Sequence, residues 1–192
     1  MKKRKSQKNG LVIVLSAPSG CGKTTVERHL LRTVRRLRRS ISATTRARRK
    51  GERHGRDYFF FTKKTFQEKI KSNYFLEWAR VFSEYYGTPR KSVTDTLQSG
   101  FDILLTIDVQ GARKIRRKVK SATFIFLLPP SVAQLKKRLI KRGTDTSKEI
   151  QKRLRQAKSE MKQSRLYDYI IVNDSLSCVV KTIRDIIQKE RL

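Results

Sequence analysis

Ten consecutive residues, Ser16 to Thr25, read S-A-P-S-G-C-G-K-T-T and carry the strongest chemical signal in the chain. They follow the apolar run Leu11 to Leu15, so a strand leads into a glycine-rich turn and then into a helix starting near Thr24. That layout is a phosphate-binding loop. Gly20 and Gly22 let the backbone curl until successive N–H groups point at a polyphosphate. The helix adds its positive end and its unpaired N–H groups. Lys23 would bridge the outer phosphates, and the Thr24 hydroxyl would sit on Mg²⁺. Ala17, Pro18, Ser19, Gly20, Cys21, Gly22, Lys23, Thr24 and Thr25 therefore form the candidate phosphate seat. The strict pattern has glycine where this chain has Ala17, a small residue that fits if its φ is negative.

A second anchor lies in the Arg-rich stretch Ser40 to Tyr58, which supplies Arg46, Arg49, Glu52 and Tyr58 from an irregular segment. Two guanidinium forks and a phenol hydroxyl can clamp the compact dianion of a nucleoside monophosphate, a geometry that lysine cannot match. Two separate phosphate seats suggest two phosphate ligands held face to face.

The elements that must position these residues follow from periodicity. Val26, Leu30, Leu31, Val34 and Leu37 recur at roughly helical spacing, although Leu37 and Ile41 could equally begin a short strand. Thr65 to Ile70 predicts a short helix capped by Thr65, with Glu68 three residues on. Phe101 to Ile107 predicts a buried strand ending at Asp108, and Ala122 to Leu128 predicts another. Ser131 caps the next helix, with Gln134 as its capping-box partner. A charged helix follows from about Lys148 to Leu166, then a last buried strand, Tyr169 to Val172, and a closing helix, Ser177 to Arg191. Buried strands alternating with helices predict an α/β protein, a mainly parallel sheet wrapped by helices. Ligands of such sheets gather at the carboxyl ends of the strands, where the loop, Asp108 and Asn173 converge.

Composition bounds the alternatives. The 192 residues suit one domain, and 37% hydrophobic content supports a folded chain. The net charge of +31 predicts attraction to polyanions, nucleotides specifically and nucleic acid non-specifically. The basic residues are spread along the whole chain, so charge alone does not decide function. Two cysteines imply no disulfide framework and a reducing setting. Cys21, near a helix N-terminus, reads as an oxidation-sensitive loop residue rather than a nucleophile. His29 and His54 lack metal-ligand spacing, which argues against a zinc site. Leu11 to Leu15 is too short for a secretory signal, and no segment approaches a membrane span of about 20 apolar residues. A cytoplasmic protein without membrane contact is expected, and nothing in the residues dictates an oligomeric state.

The chain closely resembles guanylate kinases over nearly the whole of Leu11 to Arg191. The resemblance rests on the order and spacing of S-A-P-S-G-C-G-K-T-T, the Ser40–Tyr58 segment, F-L-E-W-A, Y-Y-G-T, I-D-V-Q-G-A, P-P-S, K-R-G-T, K-R-L and I-V-N-D. It implies a P-loop kinase fold with a basic tail at residues 1–10, a GMP-binding insert at about 42–95 and a lid at about 141–157. It implies Mg²⁺-dependent transfer from ATP to GMP or dGMP, with the loop and Asn173 at the ATP. Ser42, Glu77, Thr88 and Asp108 would surround guanine, and Arg46, Arg49, Tyr58 and Tyr86 would hold its phosphate. Arg138, Arg142 and Arg153 match the arginines that close onto the transferring phosphoryl group. Many members of the family carry D-x-D where this chain has Thr106-Ile107-Asp108. Thr106 offers only a hydroxyl, which bears on rate or metal affinity more than on fold or base choice. Three other functions remain open here: a binding module of the same fold without turnover, a nucleic-acid binder, and a related kinase for a phosphorylated sugar, which would lack the guanine-facing Glu77, Thr88 and Asp108.

Overall fold

The computed structural model describes residues 10–141 and 146–192. Five strands form a wholly parallel sheet: β1 (Val12–Ser16), β2 (Leu37–Arg39), β7 (Asp102–Thr106), β8 (Thr123–Leu128) and β9 (Tyr169–Val172), in the order β2-β7-β1-β8-β9. Ile13 and Leu15 face one side with Leu104, Ile125 and Leu127, while Val12 and Val14 face the other with Ile103, Leu105 and Phe124. Burial on both faces is why the central strands read as continuous apolar runs. Helices α1 (Lys23–Thr33) and α7 (Leu176–Glu190) cover the first face through Val26, Leu30, Val179 and Ile183. Helices α3 (Arg90–Gln98) and α4 (Val109–Lys118) cover the second through Val93, Ala112 and Ile115.

A second sheet stands apart: β3 (Ala43–Thr44), β4 (Phe59–Phe60), β5 (Phe75–Val81) and β6 (Glu84–Pro89), in the order β4-β3-β6-β5. Helix α2 (Lys63–Lys71) packs on it through Phe66, whose ring stacks on Phe75 at 4.4 Å. Helices α5 (Val132–Lys141) and α6 (Ser147–Lys162) share a small core of Leu135, Leu139, Ile150 and Ala157.

Several boundaries differ from the sequence expectation. α1 ends at Thr33, Arg36 turns the chain with φ 62°, and Leu37 belongs to β2. The cap of α2 is Thr62, not Thr65: Thr62 has the extended backbone an N-cap needs, and its hydroxyl accepts from the Thr65 N–H. Gln134 N–H does donate to the Ser131 hydroxyl, at 3.1 Å. The expected helix to Leu166 ends at Lys162 and is followed by a 3₁₀ turn, Ser164–Leu166. β9 is an edge strand rather than a buried one, with Ile170 49% and Val172 47% exposed. Among the described residues no helix is long and apolar enough to cross a membrane.

Candidate active site

The phosphate loop leaves β1 at Ser16 and reaches α1 through two glycines in left-handed conformation, Gly20 (φ 89°) and Gly22 (φ 91°). A side chain is strained at either position. Ala17 is buried and does not have a positive φ, so alanine fits where the strict pattern has glycine. Gly22 is the N-cap, and α1 opens at Lys23, one residue before the expected start.

Side chains from the far end of the chain hold this loop. The Asn173 amide donates to the Cys21 carbonyl at 2.6 Å. Arg138 donates to the same carbonyl and to that of Asn173, each at 3.3 Å. Arg153, on α6, donates to the Ser19 hydroxyl at 2.9 Å. Gly20 lies against Leu135 and Leu139, and a Cβ there would stand 2.9 Å from the Leu139 side chain. Loop, β9 end, α5 and α6 thus form one assembly. Arg142 lies outside the described residues, as do the first nine residues of the basic tail.

Lys23 donates to the Ile107 carbonyl at 3.3 Å, which draws the start of α1 to the end of β7. Withdrawal from water lowers its pKa, opposed by the charges of Asp108 and then Glu160. Thr24 and Thr25 are exposed on the first turn of α1. Cys21 corrects the sequence reading. Its thiol is fully buried, donates to the Leu127 carbonyl at 3.6 Å, and is pushed up by burial to about 11. Desolvation outweighs Arg138 and Lys23, so the site disfavours a thiolate.

The arginine segment folds into a charged hairpin of contacts. Arg46 makes a two-pronged bond to Glu52, at 2.8 and 3.0 Å, and Glu52 also accepts from the Arg49 backbone N–H at 2.8 Å. The Arg46 guanidinium stands 5.5 Å from the centre of the Tyr58 ring, which meets Tyr86 edge-on at 6.3 Å. Arg46, Glu52, Tyr58 and Tyr86 are therefore together, with Glu52 committed to shaping the clamp. The Arg49 side chain is exposed. Arg39 ties this segment to α1, pairing with buried Glu27 at 2.7 Å and donating to the Asp57 carbonyl at 2.9 Å.

Glu77 is 4% exposed on β5 and accepts from the Thr88 hydroxyl at 2.6 Å. Burial raises its pKa to about 7, with Thr88 opposing and the nearby charge of Asp108 adding to the rise. Asp108 is the N-cap of α4: one oxygen accepts from the Gly111 N–H at 2.9 Å. Its other oxygen is buried without a hydrogen-bond partner, as is the Thr106 hydroxyl. Ser42 accepts from the Phe59 N–H through its carbonyl, at 2.9 Å, beside β3.

These two orphaned oxygens bear on a metal. Both are hard donors, and the Lys23–Ile107 bond places the end of β7 beside the first turn of α1, where Thr24 stands. Hard oxygens suit Mg²⁺, which takes one or two protein ligands and completes its shell with phosphates and water. Among the described residues no group of three or more His, Cys, Asp or Glu could hold a metal by itself.

The motifs assign no role to four further contributors. Glu160, on α6, is 7% exposed and ranks second only to Asp108 among the charges that favour the Lys23 ammonium. Burial raises its own pKa. Gly111, Lys114 and Lys118 line the face of α4 that meets β5. Gly111 falls within the I-D-V-Q-G-A stretch, and the signal for Lys114 and Lys118 is their helical spacing from Asp108 and Gly111.

A family model described as guanylate kinase matches residues 9–190. A guanylate kinase of Caldanaerobacter subterraneus is 44% identical over 185 residues, covering 96% of this chain and 90% of that protein. One from Photorhabdus laumondii is 48% identical over 185 residues, covering 95% and 89%. The crystal structure of guanylate kinase from Anaplasma phagocytophilum superposes with a TM-score of 0.82 at 35% identity, covering 96% of this chain and 88% of that one. With a glycine loop held by Asn173, an arginine clamp and a buried acid beside Thr88, the chain belongs to the guanylate kinase family.

Proposed function

We propose that this chain is an ATP:GMP phosphotransferase, acting on GMP and dGMP in the cytoplasm. A phosphate oxygen of GMP attacks the γ-phosphorus of ATP in line, the bond to the bridging oxygen breaks, and ADP leaves with the electron pair. GDP is the product. No general base is needed, because the attacking oxygen is already anionic. The protein supplies position and positive charge.

The observation that carries this reading is the pairing of Glu77 with Thr88 and Asp108 beside an arginine–tyrosine clamp. Ionised Glu77 and Asp108 would accept from the guanine N1–H and exocyclic amine, the Thr88 hydroxyl would hold Glu77 in place, and the Ser42 hydroxyl would donate to O6. Adenine would leave those acids unpaired, at about 1–3 kcal/mol for each. Arg46, Arg49, Tyr58 and Tyr86 would hold the acceptor phosphate, with Glu52 orienting Arg46. Residues 17–25 would cradle the ATP phosphates, Asn173 would lie by the adenine, and Lys23, Arg138, Arg142 and Arg153 would neutralise charge on the transferring group. Thr24, with Thr106 and Asp108 nearby, would hold Mg²⁺. That ion supplies further neutralisation of the phosphate charge when bound.

Lys23→Ala and Arg49→Ala test the two seats separately. Lys23→Ala abolishes turnover, and Arg49→Ala raises KM for GMP far more than KM for ATP. Full coupled ADP production by either variant contradicts the assignment.

A further inference from the structure

Gly111 is the third residue of α4, in its first turn, where helix propensity gives glycine no advantage over alanine. Its φ is not positive, so no backbone conformation demands glycine there. Space does. A Cβ at this position would stand 2.6 Å from Glu77 Oε2, 3.1 Å from Glu77 Cδ and 3.2 Å from Asp108 Oδ1. The first distance is far inside van der Waals contact. The Glu77 carboxylate therefore lies directly on the backbone of α4, next to the carboxylate that caps the same helix.

The neighbours of Glu77 are pinned from the same helix face. Lys118 donates to the Leu76 carbonyl at 2.6 Å, and Lys114 donates to the Trp78 carbonyl, with its ammonium 4.3 Å from the centre of the Trp78 ring. The two lysines are four residues apart, so both stand on one side of α4 and grip β5 on either side of Glu77. These two bonds resist a slide of β5 away from a side chain at position 111, whereas the far end of the Glu77 side chain yields more easily. The displacement therefore falls on the carboxylate.

We infer that the Gly111–Lys114–Lys118 face of α4 is a specificity gauge, in which the bare backbone at Gly111 sets the separation of the Glu77 and Asp108 carboxylates. It rests on the proposed reading of these two acids as the guanine contacts. The gauge joins the parallel core, which carries Asp108, to the second sheet, which carries Glu77. Gly111, Lys114 and Lys118 are positioning residues, since none of them need touch substrate.

The test uses the full chain carrying Gly111→Ala. KM for GMP rises about tenfold or more while KM for ATP stays within about twofold. The GMP/IMP preference narrows, because IMP lacks the amine that the spaced acids read. A merely structural glycine predicts the opposite pattern, a Tm unchanged or raised by helix propensity and an unchanged KM for GMP. That pattern overturns the inference. A double-mutant cycle with Glu77→Asp, which withdraws the carboxylate by one methylene, adds a second readout. Alanine at 111 should then raise KM for GMP by less than about threefold, and full additivity contradicts the gauge. Should Gly111→Ala fail to fold, Lys118→Met serves, raising KM for GMP at least about threefold with KM for ATP unchanged. No change in KM for GMP there overturns the inference. If Glu77→Gln leaves GMP binding intact, the guanine assignment itself fails. If Glu77→Gln weakens GMP and Gly111→Ala does not, only the gauge fails.

Discussion

The Arg153 guanidinium donates to the Ser19 hydroxyl at 2.9 Å, joining α6 to the phosphate loop across 134 residues. This places a cation at the mouth of the proposed ATP seat, on the helix that also carries Glu160 toward Lys23. Arg153→Met keeps the stem and removes the charge. Pre-steady-state and steady-state kinetics should show kcat down by about 100-fold or more, by analogy with arginines that stabilise transferring phosphoryl groups. Tm should move by little, because Arg153 is only partly buried. A loss confined to KM for ATP would make Arg153 a binding residue instead.

Glu77 should impose a pH dependence on GMP alone. Burial raises its carboxyl to about 7, and it must be ionised to accept from guanine. kcat/KM for GMP therefore rises with pH up to about 7 and levels above it, while kcat/KM for ATP lacks this step. GMP phosphate itself titrates near 6, at a second pKa of about that value. Glu77→Gln provides the control, retaining the phosphate step and losing the other. The sign for stability is opposite. A carboxyl raised in the folded state binds its proton more tightly there, so stability falls as pH climbs from the ordinary carboxylate range to about 7. Denaturant midpoints at pH 5 and pH 8 should diverge less in Glu77→Gln than in the parent.

Much of this architecture is legible in the chain before any coordinates. β1, β7 and β8 are buried on both faces, and burial on both faces writes itself as an unbroken apolar run. The glycine loop declares itself by its neighbours. The second sheet does not, because β3 and β4 are two residues each and leave no alternation to detect. The edge position of β9 is equally silent, since Tyr169 to Val172 looks the same whether or not a neighbour covers it. Gly111, Lys114 and Lys118 owe their meaning to β5, a strand more than thirty residues away in sequence. Glu160 is one charge among many on α6 until the fold turns it toward Lys23.

Cys21 should resist alkylation where Cys178 does not. The first is buried with its thiol held near 11, and the second is exposed. At pH 8 a maleimide should label the native protein once, at Cys178, with no loss of activity. Labelling of Cys21 in the folded protein would contradict the buried-thiol geometry.

Asn173→Ala removes the 2.6 Å bond to the Cys21 carbonyl but leaves that carbonyl its bond from Arg138. The acceptor is not orphaned, so the stability loss should stay near 1 kcal/mol rather than reaching about 3. The loop loses its main tether. KM for ATP should rise several-fold with KM for GMP unchanged, measured in the same coupled assay. Equal losses for both nucleotides would show that Asn173 supports the whole fold rather than the loop.

The acceptor panel decides the matter most directly. With ATP saturating, coupled ADP production is followed for GMP, AMP, UMP and CMP under identical conditions. Two acids matched to guanine predict kcat/KM for GMP above that for AMP by about 30-fold or more, from two unsatisfied groups at about 1–3 kcal/mol each. Comparable rates with AMP and GMP, or none with GMP, would contradict the proposed role of Glu77 and Asp108.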